Sequence, residues 1–213
     1  RTTNKRIYVV GDCVGPYQFT HMAGYQAGIV ITRSLFGLLT TKVNYSAVPW
    51  VTYTDPELAN VGLTEAQARE KWGDKTGITT FSFTENDRAQ AERDTRGMVK
   101  VITNPKGVVV GAGIVGAQAG DLLHEWAYMI THKQKIKTMT GVIHAYPTRA
   151  EANKIIQEIN AIKEAERDDE RPDRLGVRYD GRAEKHGGGR ENGRARSVSD
   201  GRGDRNAAPP FAE

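Results

Sequence analysis

A glycine and an acid follow the first apolar run of the chain, in an order suited to holding a nucleotide or a flavin. Residues 7–10 are continuously apolar and predict a buried strand that ends at Gly11 and Asp12. Glycine leaves room for a ligand at the carboxyl end of a strand, and an aspartate there can accept a hydrogen bond from a ribose or ribitol hydroxyl. A plain turn after a strand has the same pattern, so both interpretations stay open at this point.

The helix predicted next along the chain favours the ligand interpretation. Residues 20–39 carry apolar side chains at roughly helical spacing, and Gly24 and Gly28 would let that helix pack closely on the strand. The first turn of a helix has free backbone N–H groups and a partial positive charge. A helix that begins at Thr20 would therefore stabilise negative charge on the pyrimidine end of a reduced flavin.

A second glycine pattern has the spacing of a dinucleotide fingerprint but lacks its context. Gly111, Gly113 and Gly116 fit that spacing, yet the fingerprint also needs a helix that opens at the loop and an acid about 20 residues later. Here the glycines fall inside an apolar run that predicts a strand over residues 108–115. We interpret them as positions where two sheet layers or two subunits pack closely.

The elements that follow residue 42 predict an α+β domain, an antiparallel sheet with helices packed on it. Strands are expected at residues 48–53, 58–63, 78–83, 98–103 and 108–115, the last two forming a hairpin. Helices are expected at residues 64–72, 119–132 and 148–166. Thr64 and Gln67 have the spacing of a capping box at the first of these helices. Strands clustered with helices on one side favour α+β over alternating β-α-β units.

Composition separates this folded part from a tail. Apolar residues make up 38% of the chain and charged residues 26%, which is poor in apolar residues for a globular protein. The shortage is confined to residues 167–213, where Arg, Gly and Asp dominate. Such a segment buries too little apolar surface to offset its conformational entropy, so we expect it to be disordered.

Charge and cysteine content argue against several classes of function. The net charge is only +4, and no predicted folded element carries clustered Lys and Arg, so a nucleic-acid partner is not expected. The basic run at residues 187–196 leaves open a salt-sensitive contact with RNA, but it lacks interleaved aromatic residues.

The single cysteine, Cys13, excludes an intrachain disulfide, and the spacing of the histidines predicts no metal site. No signal pattern and no apolar run of about 18 residues occur, so we expect a cytoplasmic protein without membrane contact.

Several motifs, taken in order, resemble the class I pyridine nucleotide–disulfide oxidoreductases of the mercuric reductase and dihydrolipoamide dehydrogenase type. They lie at residues 7–21, 48–65, 86–89, 97–102 and 144–152, and the resemblance covers residues 3–160. It implies an FAD-dependent enzyme that oxidises NAD(P)H and works as a homodimer. It also implies that residues 1–42 are the last part of an FAD-binding domain, with one strand and one helix, and that residues 43–166 are the dimerisation (interface) domain. The tail is residues 167–213.

The resemblance also implies roles for individual residues. Asp12 would hold the flavin ribitol, and the backbone N–H near Thr20 would face the flavin ring. Disulfide-reducing members have a catalytic His that the closing Glu of the motif orients, whereas this chain has Tyr146 at that position and Glu151 as the closing acid. A tyrosine phenol has an ordinary pKa near 10, so it is a poor proton donor at neutral pH and almost never a base. Tyr146 therefore argues for a mercuric reductase or transhydrogenase type, and Glu151 is either catalytic or only a helix-start acid.

The chain departs from the family's pattern in ways that affect its expected activity. Mercuric reductases have a cysteine pair near the C-terminus that takes up the metal, and this tail has none. The Cys-x4-Cys redox pair, the fingerprint for the ADP part of FAD and a nicotinamide domain are also missing from the sequence. We expect this chain alone to bind FAD weakly or not at all and to be inactive. The alternative is a non-catalytic dimerisation module or an inactive truncated product.

Overall fold

A computed structural model describes residues 1–15 and 17–169. The strands among them are β1, Pro49–Thr52; β2, Glu57–Gly62; β3, Gly77–Ser82; β4, Met98–Thr103; and β5, Val109–Gly116. The α-helices are α1, Thr20–Leu35; α2, Glu65–Trp72; α3, Asp87–Ala91; α4, Ala119–Leu122; α5, His124–Thr131; and α6, Glu151–Asp169. Short 3-10 turns are formed by Gly11–Val14, Gly73–Lys75, Phe83–Glu85 and Ile136–Gly141. The tail predicted to be disordered lies outside the described residues from position 170 onward.

The five strands form one antiparallel sheet in the order β1-β2-β5-β4-β3. Strand β5 lies at its centre, with Ala112 opposite Val61 of β2 and Val101 of β4. Alternate side chains of a strand point to one face, and the buried ones join side chains of α4, α5 and α6 in a single core. The largest of them, Trp126 of α5, is fully buried. The expected α+β class, with helices packed on an antiparallel sheet, is confirmed.

Local sequence signals placed most elements correctly. The Thr64 side chain accepts from the Gln67 backbone N–H and the Gln67 side chain accepts from the Thr64 N–H, which is the predicted capping box. The helix expected at residues 119–132 is instead two helices that meet at Leu123. The helix expected at residues 148–166 is α6, in which Ile156 is buried whereas Ile162 is exposed. Helix α3 and the turn Ile136–Gly141 had no clear signal in the sequence.

The strand predicted at residues 7–10 is not part of any sheet among the described residues. Val10 has extended backbone angles, but Ile7 and Val9 are 50% and 43% exposed. A strand needs a hydrogen-bonded neighbour, and no described residue pairs with this run. The expected strand–helix unit therefore consists here of an unpaired extended segment and α1. Gly24 and Gly28 make no close contact, since a Cβ at either would meet no atom within 4 Å.

The glycines that mimic a dinucleotide fingerprint lie inside β5, as the sequence indicated. A side chain at Gly111 would collide with the backbone oxygen of Leu63, and one at Gly113 would come within 3.0 Å of the Asn60 side-chain oxygen. These glycines therefore allow close approach of β2 and the turn after it, within one sheet. The expected packing of two sheet layers is therefore not what requires Gly111, and the expected packing of two subunits stays a prediction.

Candidate functional site

Gly11 is held against the helix that follows it. Its backbone N–H donates to the Gln26 side-chain oxygen at 2.7 Å, and Gln26 is itself buried in α1. Gly11 has φ +76°, and an added Cβ would lie 3.2 Å from the Cβ of Ala23. Both facts favour glycine, since other residues rarely adopt a positive φ. The glycine predicted to admit a ligand thus also brings the turn close to α1.

The beginning of α1 faces a surface cavity. No side chain caps this helix, whose first residue is Thr20. The Met22 N–H donates to the Phe19 carbonyl oxygen at 3.0 Å, so the N–H groups that could bind a negatively charged group here are those of Thr20 and His21. The cavity has a volume of about 440 Å³, and its lining includes Thr20, Trp50 and Tyr53. Asp12 lies apart from this lining, exposed on the turn Gly11–Val14. Of the three residues predicted to contact a cofactor, the structure places one at the cavity.

One hydrogen bond ties α1 to the sheet beside this cavity. The Nε2 atom of His21 lies 2.9 Å from the Pro49 carbonyl oxygen at the start of β1. The His21 ring also stacks on Phe19, with ring centroids 5.0 Å apart. Because the contact with Pro49 joins α1 to β1, it helps to position the helix N-terminus relative to the sheet.

Tyr146 has a partner that the sequence did not indicate. Its hydroxyl donates a hydrogen bond to Oδ2 of Asp87 at 2.9 Å, while its side chain remains well exposed. This hydrogen bond, and then the negative charge of Asp87, raise the pKa of Tyr146 above its usual value. The phenol therefore keeps its proton even more firmly than an isolated tyrosine does.

Glu151 lies at the first position of α6 and binds backbone. Its Oε2 accepts from the Thr148 backbone N–H at 3.2 Å, as helix-start acids commonly do. Its negative charge adds only a minor contribution to the raised pKa of Tyr146. The Tyr146 hydroxyl is thus oriented by Asp87 and not by Glu151. These two acids lie in different motifs among those that carry the resemblance.

A buried network holds one side of the segment that carries Tyr146. The His144 side chain is 3% exposed, and its Nε2 lies 3.3 Å from the carboxylate of Glu125 in α5. Glu125 also accepts from Asn153 Nδ2 at 2.8 Å, and the Asn153 side-chain oxygen accepts from Trp126 Nε1 at 2.8 Å. Four polar side chains therefore join α5, α6 and the segment between them.

Arg149 holds the other side of the same segment. It is buried, and its guanidinium donates to Glu92 Oε2 at 3.0 Å and to the Asp94 carbonyl oxygen at 3.0 Å. Hydrogen bonds from Arg88, and then from Arg149, keep the pKa of Glu92 below its usual value. Asn86 completes the attachment, since its amide donates to the Thr148 carbonyl oxygen at 3.2 Å. The contacts of Arg149 and Asn86 join residues that are more than 50 positions apart in the sequence. No local spacing pattern predicts such pairs.

Two further properties can be stated for residues 1–15 and 17–169. Among them no three His, Cys, Asp or Glu side chains lie close enough together to hold a metal ion. No helix in the same residues combines the length and the apolar character needed to cross a bilayer.

The chain is similar to known oxidoreductases in sequence and in fold. The model of the pyridine nucleotide-disulphide oxidoreductase dimerisation domain matches residues 48–156. A dihydrolipoyl dehydrogenase of Synechocystis is 37% identical over 150 residues, which are 68% of this chain and 31% of that protein. A mercuric reductase of Bacillus cereus is 35% identical over 156 residues, 73% of this chain and 24% of that enzyme.

Solved structures agree with the sequence relatives. The HOCl-induced flavoprotein disulfide reductase RclA of Escherichia coli superimposes with a TM-score of 0.66 at 25% identity, over 74% of this chain and 36% of that one. LpdA of Mycobacterium tuberculosis, at 22% identity, shares the fold with a TM-score of 0.66, over 71% of this chain and 33% of that one. The chain thus spans about a quarter to a third of the curated relatives described here. It belongs to the pyridine nucleotide-disulphide oxidoreductase family, and residues 48–156 are its dimerisation domain.

Proposed function

We propose that this chain supplies the dimer interface and the last flavin contacts of an FAD-dependent, NAD(P)H-oxidising enzyme of the mercuric reductase type. The observation that carries the proposal is the hydrogen bond from Tyr146 to Asp87. A tyrosine is already protonated at neutral pH, and the hydrogen bond to Asp87 raises the pKa of Tyr146 further, so Tyr146 is not suited to accept a proton from a dithiol. Oxidation of a dithiol, as in dihydrolipoamide dehydrogenases, needs a residue that accepts a proton at this position. The proposal therefore favours the mercuric reductase type.

A protonated Tyr146 still has a use at a site between subunits. Its hydroxyl proton points to Asp87, so the oxygen keeps a lone pair that can accept a hydrogen bond from a bound group. Tyr146 is 70% exposed as a residue, and its ring offers a flat apolar surface. We propose that Tyr146 binds and orients a substrate without taking a proton from it.

The proposed FAD contacts rest on the region around α1. The uncapped N-terminus at Thr20 suits a group that gains negative charge, and the aromatic lining of the adjacent cavity suits a flat ring. Asp12 is exposed and could accept from a ribitol hydroxyl. When bound, FAD would supply the electron-transfer chemistry, while the protein residues would only bind and orient it.

The proposed homodimer rests on the match of residues 48–156 to a dimerisation domain. Two copies related by a two-fold axis would present the same surface to each other. A pairing of this kind is what would carry Tyr146 of one copy towards the cofactor position of the other.

The alternative is a dimerisation module without catalytic activity, and one observation favours it. The run at residues 7–10, which a flavin-binding sheet would contain, is unpaired and half exposed. Because no neighbouring strand holds the run that leads to Asp12, this residue is positioned less firmly. The affinity of the chain for FAD would therefore be low.

Titration of the purified chain with FAD separates the two possibilities. Flavin fluorescence should be quenched with a dissociation constant above the micromolar range, and Thr20→Pro, which removes one of the first N–H groups of α1, should weaken this binding. Asp74→Asn, at an exposed acid in the turn Gly73–Lys75 that does not line the cavity, serves as the control. The absence of any quenching would favour the non-catalytic module. A submicromolar constant that Thr20→Pro leaves unchanged would contradict the proposed flavin site.

A further inference from the structure

Four lysines that are well separated in the sequence lie on two neighbouring loops of the fold. Lys106 lies in the turn between β4 and β5, whereas Lys133, Lys135 and Lys137 follow α5. All four residues are exposed. We call these four residues the lysine patch. No single helix or strand carries them, so an inspection of individual elements in the sequence does not reveal the cluster.

Backbone contacts hold the two loops of the lysine patch together. Val108 and Lys135 form an isolated antiparallel bridge. The Ile136 N–H also donates to the Gly107 carbonyl oxygen at 2.9 Å, and the Ile136 side chain is buried in the core. The fold therefore fixes the backbone that carries the lysines, and this backbone would lose little conformational entropy when a partner binds.

The positive charge of the lysine patch is not neutralised by the side chains that the structure describes. None of these carboxylates lies within 4.0 Å of an ammonium group of the patch, whereas Lys100 and Lys154 do form ion pairs, with Glu65 and Glu158. The sequence explains the difference, because residues 95–120 and 126–150 contain no Asp or Glu. The lysine patch therefore offers four cations to an external group.

The end of α5 accounts for only part of this charge. Helix α5 ends at Thr131, and a cation near the C-terminus of a helix is stabilised by the helix dipole. Lys133 lies close enough for this effect, which falls off within about one turn. Lys106 belongs to the other loop, so the dipole of α5 gives no reason for a lysine at that position.

An apolar cavity of about 530 Å³ borders the lysine patch. Gln134 and Thr138, two of its lining residues, are sequence neighbours of lysines of the patch. The other lining residues include Met129, Met139 and Val142. A recess of this kind can bury an apolar side chain, and lysines beside it can bind carboxylates. The surface therefore suits a polypeptide in which acidic residues flank an apolar one.

We propose that the lysine patch binds an acidic segment of a partner polypeptide, with carboxylates of the segment at the lysines and an apolar side chain in the cavity. Nucleic acid fits this surface less well. Four lysines are fewer than the roughly six to ten phosphate contacts of a typical salt-dependent nucleic-acid complex. A phosphate backbone also has no group that would fill an apolar cavity. The proposal depends neither on FAD binding nor on the homodimer.

The test uses fluorescence anisotropy of a labelled peptide, six glutamates around one leucine, with the full chain. The peptide should bind at low ionic strength and more weakly as salt is added, because salt screens exposed charges. Lys106→Glu and Lys135→Glu, one from each loop, should each raise the dissociation constant about threefold or more, and the double variant should raise it at least about tenfold. Lys5→Glu makes the same charge change at an exposed lysine outside both loops and should leave the constant within about twofold.

Control peptides separate the contributions of charge and of the apolar side chain. A peptide with glutamines in place of the glutamates should not bind, and one with alanine in place of the leucine should bind more weakly. Equal affinity for the alanine peptide would overturn the role of the cavity. Circular dichroism should show that all variants are folded, since the changed side chains are exposed.

Three results would overturn the proposal. The first is the absence of binding by the wild-type chain at low ionic strength. The second is an equal loss of affinity in Lys5→Glu and in the patch variants, which would assign binding to overall charge, including the basic run at residues 187–196. The third is tighter binding of a thymidine oligonucleotide of the same charge, lost in the same patch variants, which would make the lysine patch a nucleic-acid site.

Discussion

The hydroxyl of Tyr146 donates a hydrogen bond to Oδ2 of Asp87, which lies 59 residues earlier in the chain and 2.9 Å away in the fold. Asp87 begins α3, a helix of five residues, and Tyr146 lies in the segment before α6. The carboxylate makes the neutral phenol more stable than the phenolate. This pair therefore keeps a proton on the residue that we expect, from the resemblance, to stand where dithiol-reducing members of the family have their base.

Replacing the carboxylate should release that proton more easily. Asp87→Asn should lower the pKa of Tyr146 towards its usual value, because the substitution removes the negative charge that opposes ionisation. NMR of chain labelled at its eight tyrosines would follow the titration of the Tyr146 resonance, which is assigned by its loss in Tyr146→Phe. Asp74→Asn, at an acid in a different turn, is the control and should leave that resonance unchanged. An unchanged pKa in Asp87→Asn would show that the contact does not persist in solution.

The same pair predicts the sign of one pH effect on stability. A folded-state pKa raised above the unfolded value gives a stabilising contribution that is present below the unfolded pKa, near 10 for tyrosine. That contribution is lost as pH rises through the folded pKa. The difference in melting temperature between wild type and Asp87→Asn should therefore shrink in strongly alkaline buffer. A difference that grows with alkaline pH would contradict this sign.

Two glycine-to-alanine substitutions should have opposite effects. Gly111→Ala should prevent stable folding or cost several kcal/mol, because its Cβ would collide with the Leu63 backbone oxygen in a sheet that cannot yield easily. Gly24→Ala should stabilise by up to about 1 kcal/mol, because it lies in a helix with open space around it. Urea denaturation measures both. A marked loss in Gly24→Ala would indicate that another segment packs against α1.

The buried network behind Tyr146 should depend on Asn153. Asn153→Ala should cost about 2–4 kcal/mol of unfolding free energy, because it leaves the buried Trp126 indole N–H without a partner inside the protein and leaves the Glu125 carboxylate with His144 alone. The control is Asn4→Ala, at an exposed residue that only bonds its own turn. Equal and small losses in the two variants would show that the network does not stabilise the fold.

The sequence predicted those features that depend on neighbouring residues. The capping box of Thr64 and Gln67 spans four positions, so its geometry follows from local spacing alone. The central strand β5 was recognised in spite of its fingerprint-like glycines, because the context that a nucleotide site needs was missing. Alternating and helical apolar patterns likewise gave the sheet and the three main helices of the dimerisation domain.

What the sequence did not predict depends on contacts over long separations or on missing neighbours. The Asp87 partner of Tyr146 and the Asn153 partner of Trp126 are 59 and 27 residues away, and neither spacing carries a signal. The run at residues 7–10 has the composition of a strand, but a strand exists only where another strand pairs with it. Its apolar residues therefore predicted a buried strand, whereas the structure has a partly exposed segment without strand pairing.

The mass of the wild-type protein in solution tests the central claim most directly. The claim is that residues 48–156 hold two copies of the chain together, with Tyr146 of each copy directed towards the cofactor position of the other copy. Light scattering across the gel-filtration peak, at tens of micromolar chain, should give twice the 23.5 kDa mass of one chain. A single monodisperse peak with the mass of one chain at that concentration would contradict the account.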